Sequence, residues 1–134
     1  MALSPEIYEA AWNNDPAIRK MAERILREWI SKTKKAETAW ELTRLMESKQ
    51  DPDKALKLIL GIMALDKEGK EFGLLGAGPL EDFLNYSGPD YIEVIEKLAA
   101  RNPRFKEVLG HVWQTSIMDL NVWERVEKVC GPKK

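Results

Sequence analysis

A chain of 134 residues, 44% apolar and 32% charged, is long enough to bury a core without disulfide or metal staples. Its 21 lysines and arginines nearly balance 22 aspartates and glutamates, and the formal charge of −1 removes bulk electrostatics as a basis for binding nucleic acid or a membrane surface. The single cysteine, Cys130, excludes an internal disulfide and fits a reducing compartment.

Met1–Glu6 has neither the basic region nor the apolar run of a signal peptide. The longest apolar run, Leu58–Leu65, is interrupted by Gly61 and is too short to span a bilayer. A cytoplasmic chain with no membrane partner is expected, forming one helical domain over residues 1–134.

Prolines punctuate the chain. Pro5, Pro16, Pro52, Pro79, Pro89 and Pro103 each open an apolar-periodic segment, and Ser4, Asp15, Asp51, Gly78, Gly88 and Asn102 precede them. All six predecessors are favoured N-cap residues, and a proline at the first helical position sacrifices no hydrogen bond. Six helix starts follow from this reading. The first helix is expected over Pro5–Trp12 and the second over Pro16–Thr33, with a buried stripe of Ile18, Met21, Ala22, Ile25, Leu26, Trp29 and Ile30. Its outer face carries Glu23–Arg27 and Arg24–Glu28 at i,i+4 spacing.

Lys32–Lys35 forms a basic link that reads as a solvated turn. A third helix, Ala36–Ser48, offers Ala39, Trp40, Leu42, Leu45 and Met46 for packing. The fourth, Pro52–Leu65, is apolar around nearly its whole circumference and is expected at the centre of the domain. After the polar turn Asp66–Gly69, a short helix at Lys70–Leu75 runs into a glycine-rich stretch. Helices at Pro79–Tyr86, Pro89–Arg101 and from Pro103 follow, and a last one at Met118–Val129 has Ser116 as its cap candidate and Leu120, Trp123, Val126 and Val129 on its apolar side. With no competing strand pattern, the fold class is all-α: seven to eight short helices in antiparallel pairs, as in a HEAT-like stack or short α-solenoid.

Leu75-Gly76-Ala77-Gly78-Pro79-Leu80-Glu81-Asp82-Phe83-Leu84 is followed by Asn102-Pro103-Arg104-Phe105 and Val112-Trp113, with Ala39-Trp40 upstream. Over roughly Ala36 to Trp123 this resembles a bacterial family of small helical proteins of unknown function. The resemblance implies an all-α fold and brings no reaction with it.

The candidate chemistry is sparse. Gly73–Gly78 has no following Gly-Lys-Ser/Thr and no preceding strand, so it reads as a packed corner rather than a phosphate cradle. Glu81 and Asp82 are adjacent carboxylates, but a helix turns them about 100° apart. With Gly78 as N-cap, Glu81 falls at N3 and reads as a capping carboxylate. His111 is the only histidine and lacks companions for a metal site. Cys130 pairs with it as a nucleophile only if the fold joins them.

Of the five tryptophans, Trp29, Trp40 and Trp123 are expected in the core, whereas Trp12 and Trp113 stand at helix ends with partial exposure, and Trp113 reads first as core and second as a binding anchor. No cofactor and no catalytic or metal residue is expected. The reading is a non-enzymatic module whose partner is another protein, with Glu81, Asp82, His111 and Trp113 as its binding residues. A basic partner such as a nuclease toxin, in an immunity-type role, would meet Glu81, Asp82, Asp90, Glu93 and Glu96. The competing reading is a small enzyme or ligand-binding protein with a pocket near Gly76–Glu81.

Overall fold

Asparagine and aspartate side chains accept hydrogen bonds from the free N–H groups of the turn that follows them, and this chemistry starts several helices here. A computed structural model of the chain describes residues 2–32 and 36–131. Asp15 accepts from Ala17 and Ile18 to open α2 (Pro16–Ser31), after α1 (Pro5–Asn14). Asp51 accepts from Lys54 to open α4 (Pro52–Leu65), which follows α3 (Ala36–Glu47). Asn102 accepts from Arg104 and Phe105 to open α7 (Pro103–Leu109). Pro5 also opens a helix, although the Ser4 side chain makes no capping bond. Among the described residues the fold is all-helical.

The last turn of the expected second helix and the basic link, Thr33 to Lys35, lie outside the described residues, as does Pro132 at the chain end. Lys32 closes α2 in the left-handed conformation at φ 58°.

Two of the six expected starts are not starts. From Phe72 to Arg101 the chain is one unbroken helical run: α5 (Phe72–Leu75), a π-helical turn (Gly76–Leu80) and α6 (Glu81–Arg101). Pro79 lies within the π-turn and Pro89 within α6. An interior proline costs a helix about 3 kcal/mol. Around Pro89 that cost is opposed by burial of Phe83, Leu84, Tyr91 and Ile92, each contributing about 1.5–3 kcal/mol. Gly88 is not a cap either. A Cβ there would come within 3.1 Å of both Val122 methyl groups, so the glycine lets α8 (Leu120–Cys130) lie against α6.

At its other end α8 is capped by Asp119, which accepts from Val122. Ser116 therefore has no capping role, and Leu120, expected to pack, is 61% exposed.

The expectation for α4 matches its position. Ala55, Leu56, Leu58, Ile59, Leu60, Ile62 and Met63 are all buried, and α1 and α2 pack along it while α3, α5, α6 and α7 close its remaining sides. Arg104 clamps its C-terminal end. The guanidinium donates to the carbonyls of Met63 (2.9 Å), Lys67 (3.2 Å) and Asp66, and lies 5.0 Å from the Phe72 ring centroid. The buried Asp66 carboxylate accepts from Glu71 N–H at 2.8 Å, which fixes the turn leading into α5.

The outer face of α2 takes partners other than the expected Glu23–Arg27 and Arg24–Glu28. Glu23 meets Arg19 at 3.4 Å, and Arg24 reaches across to Glu41 of α3 at 2.7 Å. Trp123 is buried as expected and Trp29 is half-buried. Trp40 is 66% exposed, because α3 turns Thr38, Leu42 and Met46 inward and leaves the tryptophan on its flank.

Candidate functional site

The unbroken run from α5 into α6 places residues on two sides of itself. The π-turn adds a residue to one helical turn, and the Glu81 N–H donates to the Gly76 and Gly78 carbonyls. Gly76 thereby comes to face α7: a Cβ there would sit 2.2 Å from the Val108 carbonyl oxygen and 2.7 Å from the His111 Cβ. The backbone approach demands glycine at this position. The tight corner expected from the glycine-rich stretch thus lies at Gly76 against α7, and Gly78 has no capping role.

On this side lie three of the four expected binding residues. Glu81 Oε1 accepts from the Trp113 backbone N–H at 2.9 Å. One turn along α6, Asn85 accepts from the Thr115 hydroxyl at 2.6 Å. The two contacts pin the segment between α7 and α8 onto α6, leaving Trp113 52% exposed. His111 is exposed and lies beside Gly73 and Gly76. Because the helix continues upstream, Glu81 is not a capping carboxylate; it is a tether for the following segment.

The fourth residue, Asp82, points the other way. It lines an open cavity of about 200 Å³ walled by the end of α2, α3 and the α5–α6 run. Trp29, Leu42, Met46, Leu74 and Pro79 supply apolar wall, and Glu28, Thr38 and Thr43 add polar atoms. Glu28 accepts from the Thr38 hydroxyl at 3.0 Å, joining α2 to α3 at the cavity. No lysine, arginine or histidine is among the described lining residues. Asp82 has no hydrogen bond or ion pair to any described residue. Burial above all, and then the Glu47 and Glu81 carboxylates, pushes its carboxyl above the usual carboxylate range.

The rim is exposed and partly apolar. Leu74 is 43% exposed on the cavity edge. Trp40 shares a row of α3, at i,i+3 spacing, with the lining residue Thr43.

Sequence reasoning singled out Asp82 but missed Thr38 and Thr43. Their signal was the presence of threonines among the apolar residues of an amphipathic helix, where hydroxyls face inward only if something there can bond them. The other acidic candidates are dispersed. Asp90 and Glu93 are exposed along α6, and Glu96 is engaged by Arg125 through two bonds, one of 3.0 Å. Among the described residues no group of three or more His, Cys, Asp or Glu is placed to hold a metal ion, and no helix is long and apolar enough to cross a membrane.

Residues 28–133 match the family of unknown function DUF6869, and the chain belongs to that family. Every described residue lining the cavity falls within the matched span, whereas α1 and most of α2 precede it. No curated protein and no solved structure matches the chain.

Proposed function

We propose that this chain acts as a single helical, non-enzymatic module that binds another protein, and that the partner inserts one side chain into the cavity between α2, α3 and α6. The observation that carries the reading is Asp82, a carboxylate without a partner in a largely apolar cavity. Removing a carboxylate from water is unfavourable unless it is paired. Asp82 is half-buried, so it loses part of its hydration with no described group to offset the loss, and a cationic side chain of a partner would offset it.

The dimensions agree. A dry cavity of about 150 Å³ takes a benzene-sized group, so the volume here suits one large side chain rather than a cofactor. Exposed Leu74 at the cavity edge supplies an apolar anchor of the kind on which protein interfaces concentrate their binding energy, and exposed Trp40 on the flank of α3 supplies another. Binding is favoured over catalysis because no nucleophile or second proton carrier is bonded to Asp82.

Affinity capture from the host, run in parallel with the wild-type chain and a Thr43→Trp variant whose indole fills the cavity, tests this reading. A partner retained by the wild type and lost by a variant of unchanged thermal stability supports it. A partner retained equally by both, or none with either, overturns it.

A further inference from the structure

Resting on the reading that this cavity is a binding site, the geometry points to the occupant: we infer that it is a lysine side chain of the partner protein, its methylenes along Trp29, Leu42, Met46, Leu74 and Pro79 and its ammonium on Asp82.

Three observations converge on this chemistry. First, charge: Asp82 is unbonded, Glu47 and Glu81 lie close enough to act on it, and no cation is among the described lining residues. The site repels an acidic group and leaves a neutral one with nothing to offset the carboxylate. Second, shape: the apolar wall is a stretch of ring, branched chain and thioether that suits a flexible alkyl stem rather than a polar one. Third, acceptor count: an ammonium has three donors on a mobile stem, whereas a guanidinium presents five in a rigid fork. The Asp82 carboxylate and the hydroxyl oxygens of Thr38 and Thr43 line the cavity as acceptors that a mobile ammonium can choose among. Glu28 also lines the cavity, and its Oε2 accepts from the Thr38 hydroxyl.

The test titrates the full chain with Nα-acetyl-lysine methylamide and, separately, with its neutral isostere Nα-acetyl-norleucine methylamide. Binding is followed by the amide and indole NMR signals of Trp29, Thr43 and Asp82. The lysine derivative should shift these signals saturably and bind about tenfold more tightly than norleucine, as expected for one charge-assisted hydrogen bond. Asp82→Asn should remove that advantage, whereas Glu93→Gln, at an exposed position of α6 outside the described cavity lining, should keep it. Equal binding of the two derivatives, unaffected by Asp82→Asn, would overturn the lysine assignment while leaving the cavity as a binding site. No shift with either derivative would overturn it too, and the Thr43→Trp capture would then decide separately whether the cavity binds at all. A shift of Asp82 in the wild type that disappears in a Lys34→Gln/Lys35→Gln variant without ligand would assign the ammonium to this chain itself and also overturn the proposal.

Discussion

Two aspartates, Asp53 and Asp82, stand in the same helical body and are treated in opposite ways. Asp53 Oδ1 accepts from the Tyr8 hydroxyl at 2.5 Å and the Tyr91 hydroxyl at 2.8 Å, and the Tyr8 oxygen in turn accepts from the Leu3 N–H at 2.8 Å. One carboxylate thereby joins the N-terminal segment, α1, α4 and α6 through buried rings. Asp82 lines a cavity and bonds to no described residue. A satisfied polar network helps to specify a fold, whereas a half-buried carboxylate bonded to no described residue adds nothing to it. The first region closes on itself through its hydroxyls, whereas the second leaves a carboxylate facing a cavity.

This contrast gives predictions of opposite sign. The largest effect is expected from Asp53→Ala, which strands two buried hydroxyls. At about 1–3 kcal/mol for each unsatisfied donor, the loss should be about 3 kcal/mol by chemical denaturation, and Asp53→Asn, which keeps an acceptor, should lose less. Gly76→Ala should cost about 2 kcal/mol, because the new methyl meets the Val108 carbonyl, which is backbone and cannot swing away. Gly78→Ala provides the internal comparison. The nearest atom to its Cβ would be a Leu74 methyl at 3.9 Å, so the substitution should stabilise by about 0.5–1 kcal/mol while narrowing the cavity.

Titration separates the two regions further. Burial, followed by the bonds to Asp53, raises the Tyr8 and Tyr91 hydroxyls above the ordinary tyrosine value of 10.0. The unfolded chain loses these protons around 10.0 while the folded one keeps them, so stability is intact below that pH and falls as pH rises past it. Tyr8→Phe should blunt that alkaline fall, as read by thermal melts across the alkaline range.

Asp82 gives the smallest effect. Its folded-state carboxyl keeps its proton above the ordinary value of 3.8, so its contribution is present below 3.8 and lost as pH rises through the raised value. Asp82→Asn should flatten the acid side of the stability profile and leave the protein a few tenths of a kcal/mol more stable at neutral pH, after allowance for solvent screening. A destabilised Asp82→Asn variant would place Asp82 with Asp53, as a structural residue.

The helical class and the buried position of α4 were readable from the chain because apolar period and side-chain caps act locally. Asp15, Asp51 and Asn102 bond within three residues of themselves, so the cap-proline signature held there. Gly88-Pro89 carries the same signature because Val122 approaches the glycine closely, whereas Gly78-Pro79 carries it with nothing nearer to Gly78 than a Leu74 methyl at 3.9 Å. Glycine is favoured both as a cap and where another backbone or side chain comes close, and only tertiary contact tells the two apart. Trp40 was misread because a tryptophan flanked by Ala39 and Leu42 looks like part of a stripe, whereas the stripe runs through Thr38, Leu42 and Met46. Asp82 was visible as a carboxylate, but its cavity was not, since the opposite wall comes from α2 and α3, dozens of positions upstream.

The π-turn at Gly76–Leu80 acts as a phase shifter. One surplus residue advances everything beyond it by about 100° relative to everything before it. Without that advance, a rod that presents Gly76 to α7 would aim Asp82 away from α3. Removing exposed Ala77 from the turn should therefore retard the rod and uncouple the glycine contact from the carboxylate's aim, turning one continuous helix into two competing registers.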